Sequence, residues 1–453
     1  MKICVLNYTG DRGNWGCQAT SRNLLAFLRA SLGGVPHLEI VTVPLPKGHP
    51  VDGLVAATHG RRIRSIYESL RPAVHDVRFL HALTSERFGD LLGEVENSDI
   101  VVFQGEGSIG PQVSLLNVQL FGLPFLAAHL WRKPVLAVNQ TLYACSAADA
   151  QALARIFSRF TLVAVREARS YAFARGIGLD RVLLCPDMAF AAFPPFPGPF
   201  ATVPNVPYFC IAGSAVIASR GMDATLEAVR RISVRHGLRP VFMFSRPEDG
   251  NIARTAEKSF AAIQFDVVSS KNFGRFEQIL PLLSHAALVL GRRYHTSVSA
   301  LSEGTPVVLL PGNTFKTEGI GPMLGLELPV IATDDVTGIV NEAGRLLAGG
   351  EELRGRIRAA IRLARACHAR FGDLIRQFVT EGVMPGTPEC LRPTPITFAE
   401  AGPHDGLYIA KNRGPRTPLA ILARWQLRRL RQGAHFRESL RASLARPEHG
   451  RSP

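Results

Sequence analysis

From Lys2 to Leu184 the chain alternates short, almost continuously apolar runs with longer stretches of helical spacing. The runs Ile3–Asn7, Leu38–Val43, Ile100–Gln104, Val135–Asn139, Leu162–Val165 and Val182–Leu184 read as strands. Strands that are apolar on both sides belong to parallel sheets covered on both faces. Between them, Gln18–Leu32 and Ala147–Phe160 read as helices. This alternation is the βαβ rhythm of a doubly wound domain. The apolar stretch Leu115–Trp131 contains Asn117, Gln119, Pro124 and His129, and so reads as a buried helix rather than a membrane span.

The rhythm stops at Phe193–Pro199, where five residues of the run are Pro or Gly. Proline cannot continue a helix or a central strand, so the interdomain linker belongs here. A second series follows, with strands expected at Tyr208–Ala212, Pro240–Phe244, Ala287–Leu290, Pro306–Leu310 and Pro329–Ala332. Helices are expected at Asp223–His236 and Glu351–Phe371. The chain of 453 residues is too long for one ordinary core. The expected fold is α/β: two Rossmann-like doubly wound domains, 1–195 and 196–385, facing a cleft, then a tail, 386–453. Ligands of open α/β sheets sit at the carboxyl ends of the strands, which places the chemistry in that cleft.

Composition narrows the classes. Apolar residues make up 46% and charged residues 20%, which excludes wholesale disorder. The formal charge is +15, but 45 of the 52 basic residues are Arg, a bias that reflects a GC-rich genome more than selected contacts. The charge is uneven: Lys411–Pro453 carries 11 basic and 2 acidic side chains, a local +9. In that tail Leu419, Leu422, Ala423, Leu427 and Leu430 keep helical spacing, and Arg424, Arg428 and Arg431 follow another face. Such a helix either docks on the body, lies on an anionic membrane surface or meets a macromolecular partner. The seven Cys form no C-x-x-C pair, which fits a reducing cytoplasm and argues against a structural zinc site. No secretory pattern follows Lys2, so the expected location is the cytoplasm, with the tail offering a peripheral contact to the inner membrane face.

Four segments carry candidate chemistry. Gly10–Ala19 is a Gly-rich strand-to-helix turn with Asn14 and Gly16, suited to an anion or simply to a tight turn. Gly105-Glu106-Gly107-Ser108-Ile109-Gly110 has the form G-x-G-x-x-G. It follows the wrong strand for a dinucleotide, and no acidic residue ends the next one. After Val165, Arg166 emerges towards the cleft or pairs with Glu167 at the surface, with Arg169 as the runner-up. Downstream, Asp187 caps a turn or contacts substrate. The most informative segment runs from Leu288 to Leu301: a strand ending in Gly291, then Arg292, Arg293, Tyr294 and His295, then a helix. Arg suits carboxylate or phosphate and His suits proton transfer. Lys316 follows one helix-strand unit later, in a chain where Lys is rare.

Taken together, these segments resemble the polysaccharide pyruvyl transferase family from about Lys2 to Gly325. The resemblance lies in Gly13, Asn14, Gly16 and Ala19; the Gly-rich loop after Phe103; Arg166, Glu167 and Ser170; Pro186 and Asp187; and Gly291, Arg293, His295, Gly304, Pro306 and Lys316. Two departures stand out: Cys17 where the family often has Asp, and Glu106 inside a loop that often reads G-G-G. The resemblance implies a GT-B-like pair of Rossmann-like domains, with the acceptor on the N-terminal side and the donor on the C-terminal side. It implies phosphoenolpyruvate as donor, a sugar of a cell-surface glycan or its lipid-linked precursor as acceptor, and a pyruvate ketal as product. His295, Arg293 and Arg166 then match residues linked to donor binding and catalysis. Lys316, Asn14, Gly16, Gly105, Glu106, Gly107 and Arg292 are the remaining expected substrate contacts. No metal, cofactor or nucleic acid is called for.

Two other classes stay open: a glycosyltransferase of GT-B type using a nucleotide sugar, with Glu303 or Glu318 at the ribose, and a non-catalytic anion-binding scaffold. For the tail, each Lys or Arg near an anionic bilayer contributes about 1 kcal/mol. Deleting residues 411–453 should therefore abolish co-sedimentation with phosphatidylserine vesicles, and unchanged co-sedimentation would remove the membrane assignment.

Overall fold

The computed structural model describes residues 1–46, 50–109, 118–144, 146–192, 196–213, 221–245, 250–260, 263–312 and 314–384. The basic tail and its expected helix lie outside them, as do residues 110–117 and 193–195.

Two parallel sheets form the frame. The first holds β1 (Lys2–Tyr8), β2 (Glu39–Pro44), β3 (Ile100–Glu106), β4 (Val135–Gln140), β5 (Leu162–Val165) and β6 (Val182–Leu184), in the order β2-β1-β3-β4-β5-β6. The second holds β7 (Tyr208–Ala212), β8 (Arg239–Phe244), β9 (Asp266–Ser269), β10 (Val289–Gly291) and β11 (Val307–Leu309), in the order β11-β10-β7-β8-β9. Each order reverses once, between β1 and β3 and between β7 and β10, and a crevice opens at such a switch point.

The apolar runs explain the layers. Along β1, Cys4 and Leu6 face one buried cluster while Ile3 and Val5 face another. In the second sheet Cys210 faces one cluster, and its neighbours Phe209 and Ile211 face the other. The helix Val118–His129 is buried from Val118 to Ala127, as its unbroken apolar pattern requires. Among the described residues no helix is long and apolar enough to cross a membrane.

Two expectations change. Pro329–Ala332 forms no strand; a single bridge joins Leu309 to Val330, because Pro329 has no N–H to donate. The fifth strand is instead β9, an edge strand of four residues with half its side chains buried, too short to show an alternation. The last helix also runs further than expected, Gly350–Glu381. Its extension carries Phe371, Leu374, Ile375 and Phe378 onto the first sheet, although the helix starts beside the second.

The two sheets are joined by side chains of the first helix, Trp15–Leu32. Trp15 is buried in the core of the second sheet, and its Nε1 donates to Phe273 O at 2.8 Å. Gln18 Nε2 donates to Gly274 O at 2.7 Å, and Gln18 Oε1 accepts from Phe276 N at 2.8 Å. Arg22 Nη1 pairs with both oxygens of Glu277 at 3.2 and 3.0 Å. Removing a buried aromatic costs about 3–5 kcal/mol. Trp15→Ala should lower stability in urea melts by that order, whereas Trp15→Phe, which keeps an aromatic ring but loses the donor and part of the volume, should cost clearly less, about 1–2 kcal/mol.

Candidate active site

The strands of the first sheet end in strained backbone. Asn7, Glu106 and Asn139 have φ of 61°, 46° and 58°, the left-handed region. They sit at or next to the ends of β1, β3 and β4, and the ladders of β1 and β4 skip there. Asn tolerates this conformation, but Glu does not readily adopt it. Glu106 is held in place by its carboxylate: Oε1 accepts from Thr9 Oγ1, from Ser21 Oγ at 3.1 Å and from Gln104 Nε2 at 2.6 Å. It is 5% exposed, and burial pushes its pKa up against those hydrogen bonds. A residue expected at the substrate thus clamps two strand ends and the first helix.

Past β5 and β6 lies the centre of the site. Arg166 and Asp187 are both 0% exposed, and Arg166 Nη1 donates to Asp187 Oδ2 at 2.7 Å. Arg166 Nε donates to Thr141 Oγ1 at 3.0 Å. Asp187 Oδ1 accepts from Ala189 N at 2.8 Å and Thr20 Oγ1 at 3.2 Å. Burial opposes ionisation of Asp187, but the Arg166 charge outweighs it and holds the carboxyl well below the usual range. Behind this pair, His368 of the last helix donates from Nε2 to Pro186 O at 2.8 Å. The alternative reading, a surface pair of Arg166 with Glu167, does not hold: Arg166 is buried on Asp187. Glu167 caps the helix Ala168–Gly176 instead, accepting from Arg169 N and Ser170 N, and burial pushes it up to about 7.

The second sheet supplies the opposite wall. β10 ends at Gly291, Arg293 occupies the position before the helix Tyr294–Ser302 without a side-chain capping bond, and this turn delivers His295 to the pair. His295 Nε2 lies 3.6 Å from Asp187 Oδ2 and 3.4 Å from Arg166 Nη1. Its Nδ1 faces Gly16, where a Cβ would come within 2.5 Å. Burial lowers the His295 pKa, against the pull of Asp187. Tyr294 is 5% exposed, with Arg166 Cζ 4.8 Å and Lys316 Nζ 5.8 Å from its ring centre.

The cations converge on Gly107. A Cβ there would lie 3.3 Å from Lys316 Nζ and 3.5 Å from Arg166 Nη2. Arg166 Nη2 is buried and has no hydrogen-bond partner. Lys316 is depressed to about 7 by burial, then by the charges of Arg166 and Arg293. An anion over Gly107 would satisfy the one and charge the other.

The remaining expected residues divide. Asn14 accepts from Gly16 N at 2.9 Å and caps the first helix. Gly105 packs on Gln140, where a Cβ would collide at 2.4 Å. Arg292 reaches a different place: its Nη1 lies 3.4 Å from Thr225 Oγ1 inside the second unit. Glu303 follows the far end of the helix that Arg293 begins. Sequence reasoning missed Thr141 and Thr20, named Tyr294 without a role, and read Asp187 as a cap or a substrate contact, not as the partner of Arg166. The cap is real but uses one oxygen, and the other holds Arg166.

Comparison with known structures agrees with this frame. MnaA of S. aureus in complex with UDP is 15% identical, covers 84% of this chain and 97% of its own, and gives a TM-score of 0.50. A UDP-N-acetylglucosamine 2-epimerase is 14% identical, with 85% and 98% covered and a TM-score of 0.53. At this identity the likeness is one of fold: two Rossmann-like domains in the GT-B arrangement. No curated protein matches the chain in sequence. The profile for polysaccharide pyruvyl transferase matches residues 14–313, about two-thirds of the chain. The chain belongs to the polysaccharide pyruvyl transferase family.

Removing one member of a buried pair costs about 3–5 kcal/mol, because a buried charge is left alone. Asp187→Asn should therefore lower stability by that order at neutral pH. The Asp187 pKa is depressed in the fold, so its contribution is present above the unfolded carboxyl pKa and fades as pH falls through the folded value. Wild-type and Asp187→Asn urea stabilities should accordingly converge as the medium becomes strongly acidic. A gap that did not change with pH would assign the loss to packing.

Proposed function

We propose that the protein transfers a pyruvyl group from phosphoenolpyruvate to a sugar of a cell-surface glycan or its precursor, closing a pyruvate ketal. The observation that carries this reading is the convergence of Arg166 and Lys316 on the open face of Gly107, beside His295, with the Arg293 charge near enough to act on Lys316. Arg166 is paired with Asp187, yet its buried Nη2 on the Gly107 side has no hydrogen-bond partner. Phosphoenolpyruvate brings a phosphate and a carboxylate, and converging fixed cations suit both. Family membership supports a transferase acting on polysaccharide.

His295 stands where it can serve as acid and base. It protonates the methylene carbon, and C2 becomes electron-poor. A sugar hydroxyl attacks C2 and returns its proton to His295. Arg293 and Arg166 hold the carboxylate and phosphate as the charge develops. Phosphate then leaves, and a second hydroxyl closes the ketal. Written this way, the reaction uses no cofactor beyond the donor itself. The acceptor belongs against the first sheet, beside Gly105 and Gly107.

Calorimetry on purified protein tests the donor. Phosphoenolpyruvate should bind, and Arg293→Ala should weaken it by roughly tenfold to a hundredfold, the loss expected of a hydrogen bond to a charged group. His295→Ala should keep donor affinity within a few-fold and lose about 10²–10⁴ in turnover. Binding of a nucleotide sugar in place of phosphoenolpyruvate would transfer the site to a glycosyltransferase.

A further inference from the structure

The proposed reaction moves two protons. One goes to the methylene carbon, and one leaves with phosphate. Each of the two attacking hydroxyls gives one up. His295 accounts for one exchange, which leaves the second without a carrier.

Lys316 is the group placed to fill that gap. Its Nζ shares the face of Gly107 with Arg166 Nη2, where the anion belongs. It lies against Tyr294, the residue that delivers His295. The sequence adds an independent point. This chain uses Arg for 45 of its 52 basic residues, yet the cation at this position is Lys. Arg is the better bidentate clamp for phosphate but stays charged at every working pH, whereas an amine can give up its proton when buried among cations.

We propose that Lys316 is the second acid–base group of the active site. As the bond from C2 to the phosphate oxygen breaks, its electron pair goes to that oxygen. The Lys316 ammonium protonates the departing group, which leaves as hydrogen phosphate. The neutral amine then takes the proton of the second hydroxyl as its oxygen bonds to C2, and the ammonium is restored. This inference rests on the pyruvyl-transfer reading and assigns a step within it.

The surroundings permit both protonation states. Burial first, then Arg166 after β5 and Arg293 after β10, press the proton off, while Asp187 after β6 and Glu106 at the end of β3 hold it. His295 faces the same space and responds to the Lys316 charge. The balance brings Lys316 to about 7, the range in which a group both gives and takes protons.

Phosphoenolpyruvate binding is the test, because it needs no acceptor. The dianionic phosphate should favour the ammonium. Above neutrality, wild type must then take up a proton on binding, and its affinity should fall by up to about tenfold per pH unit. Lys316→Arg keeps its charge. It should bind as tightly as wild type near pH 6, more tightly near pH 9, and with one proton less taken up, read by calorimetry in buffers of different ionisation enthalpy. With p-nitrophenyl hexosides as acceptors, phosphate release by Lys316→Arg should fall about 10²-fold or more despite intact binding. Equal proton uptake in the two proteins, or turnover within a few-fold of wild type, would overturn the assignment and leave Lys316 a charge clamp. Wild type that binds no phosphoenolpyruvate would overturn the pyruvyl-transfer reading itself, and the Lys316 step with it.

Discussion

The buried pair of Arg166 and Asp187 is the constraint around which the rest of the site is arranged. Neither side chain reaches solvent. Taking two charges out of water costs several kcal/mol per ion, and the mutual attraction offsets that only with good geometry and further hydrogen bonds. Those bonds come from far-apart parts of the chain: Thr20 from the first helix, Thr141 after β4, Ala189 after β6, and His295 from the second sheet. Such a pair is weak evidence of net stability. It is better evidence of position, because each partner is correct only when all the others are. The pair also sets the electrostatics of its neighbours. It draws a proton towards His295 through Asp187 and pushes one from Lys316 through Arg166.

Strain and close approach serve the same end. Three strand ends take left-handed backbone at Asn7, Glu106 and Asn139, each costing about 1–3 kcal/mol unless its surroundings hold it. For Glu106 that holding is done by its own carboxylate, which ties Thr9, Ser21 and Gln104 into one cluster. Where the family loop often has glycine, this chain reaches the conformation with a side chain and uses the side chain as the clamp. Gly16 and Gly107 act differently. Their missing Cβ atoms are the space that His295, Lys316 and Arg166 need.

Much of the fold was legible because parallel strands advertise themselves. Tyr208–Ala212, Leu162–Val165 and Val182–Leu184 are strands with the bounds expected from their apolar runs. The edge strand β9 was not legible, since four half-buried residues carry no period. At the site, the residue types were readable but their company was not. Arg166 at a strand end is a local signal. Its complete burial is not, because part of its cover is Tyr294, 128 positions later. Asp187 read as a cap or a substrate contact; the capping bond is local and legible, whereas its bond to Arg166 spans 21 positions. Arg292 and Arg293 look equivalent in sequence, and one residue of helix entry sends them to different places.

The frame is shared with enzymes of UDP-sugars at about 15% identity, and at that distance it says how the chain is folded and nothing about what it turns over. His295 is correctly placed only when the first helix presses Gly16 against it, and that helix is anchored to the second sheet by Trp15, Gln18 and Arg22. The last helix adds a second tie, reaching the first sheet through Phe371 and Phe378 and the Pro186 carbonyl through His368. The relative placement of the two sheets is therefore part of the geometry of the candidate site. A site made of one cationic strand end and one His-bearing helix entry, on different sheets, exists only while both ties hold. Changes at Trp15, on the far side of the first helix's tie, or at His368, behind the pair, thus act on the same distances as changes at Arg166.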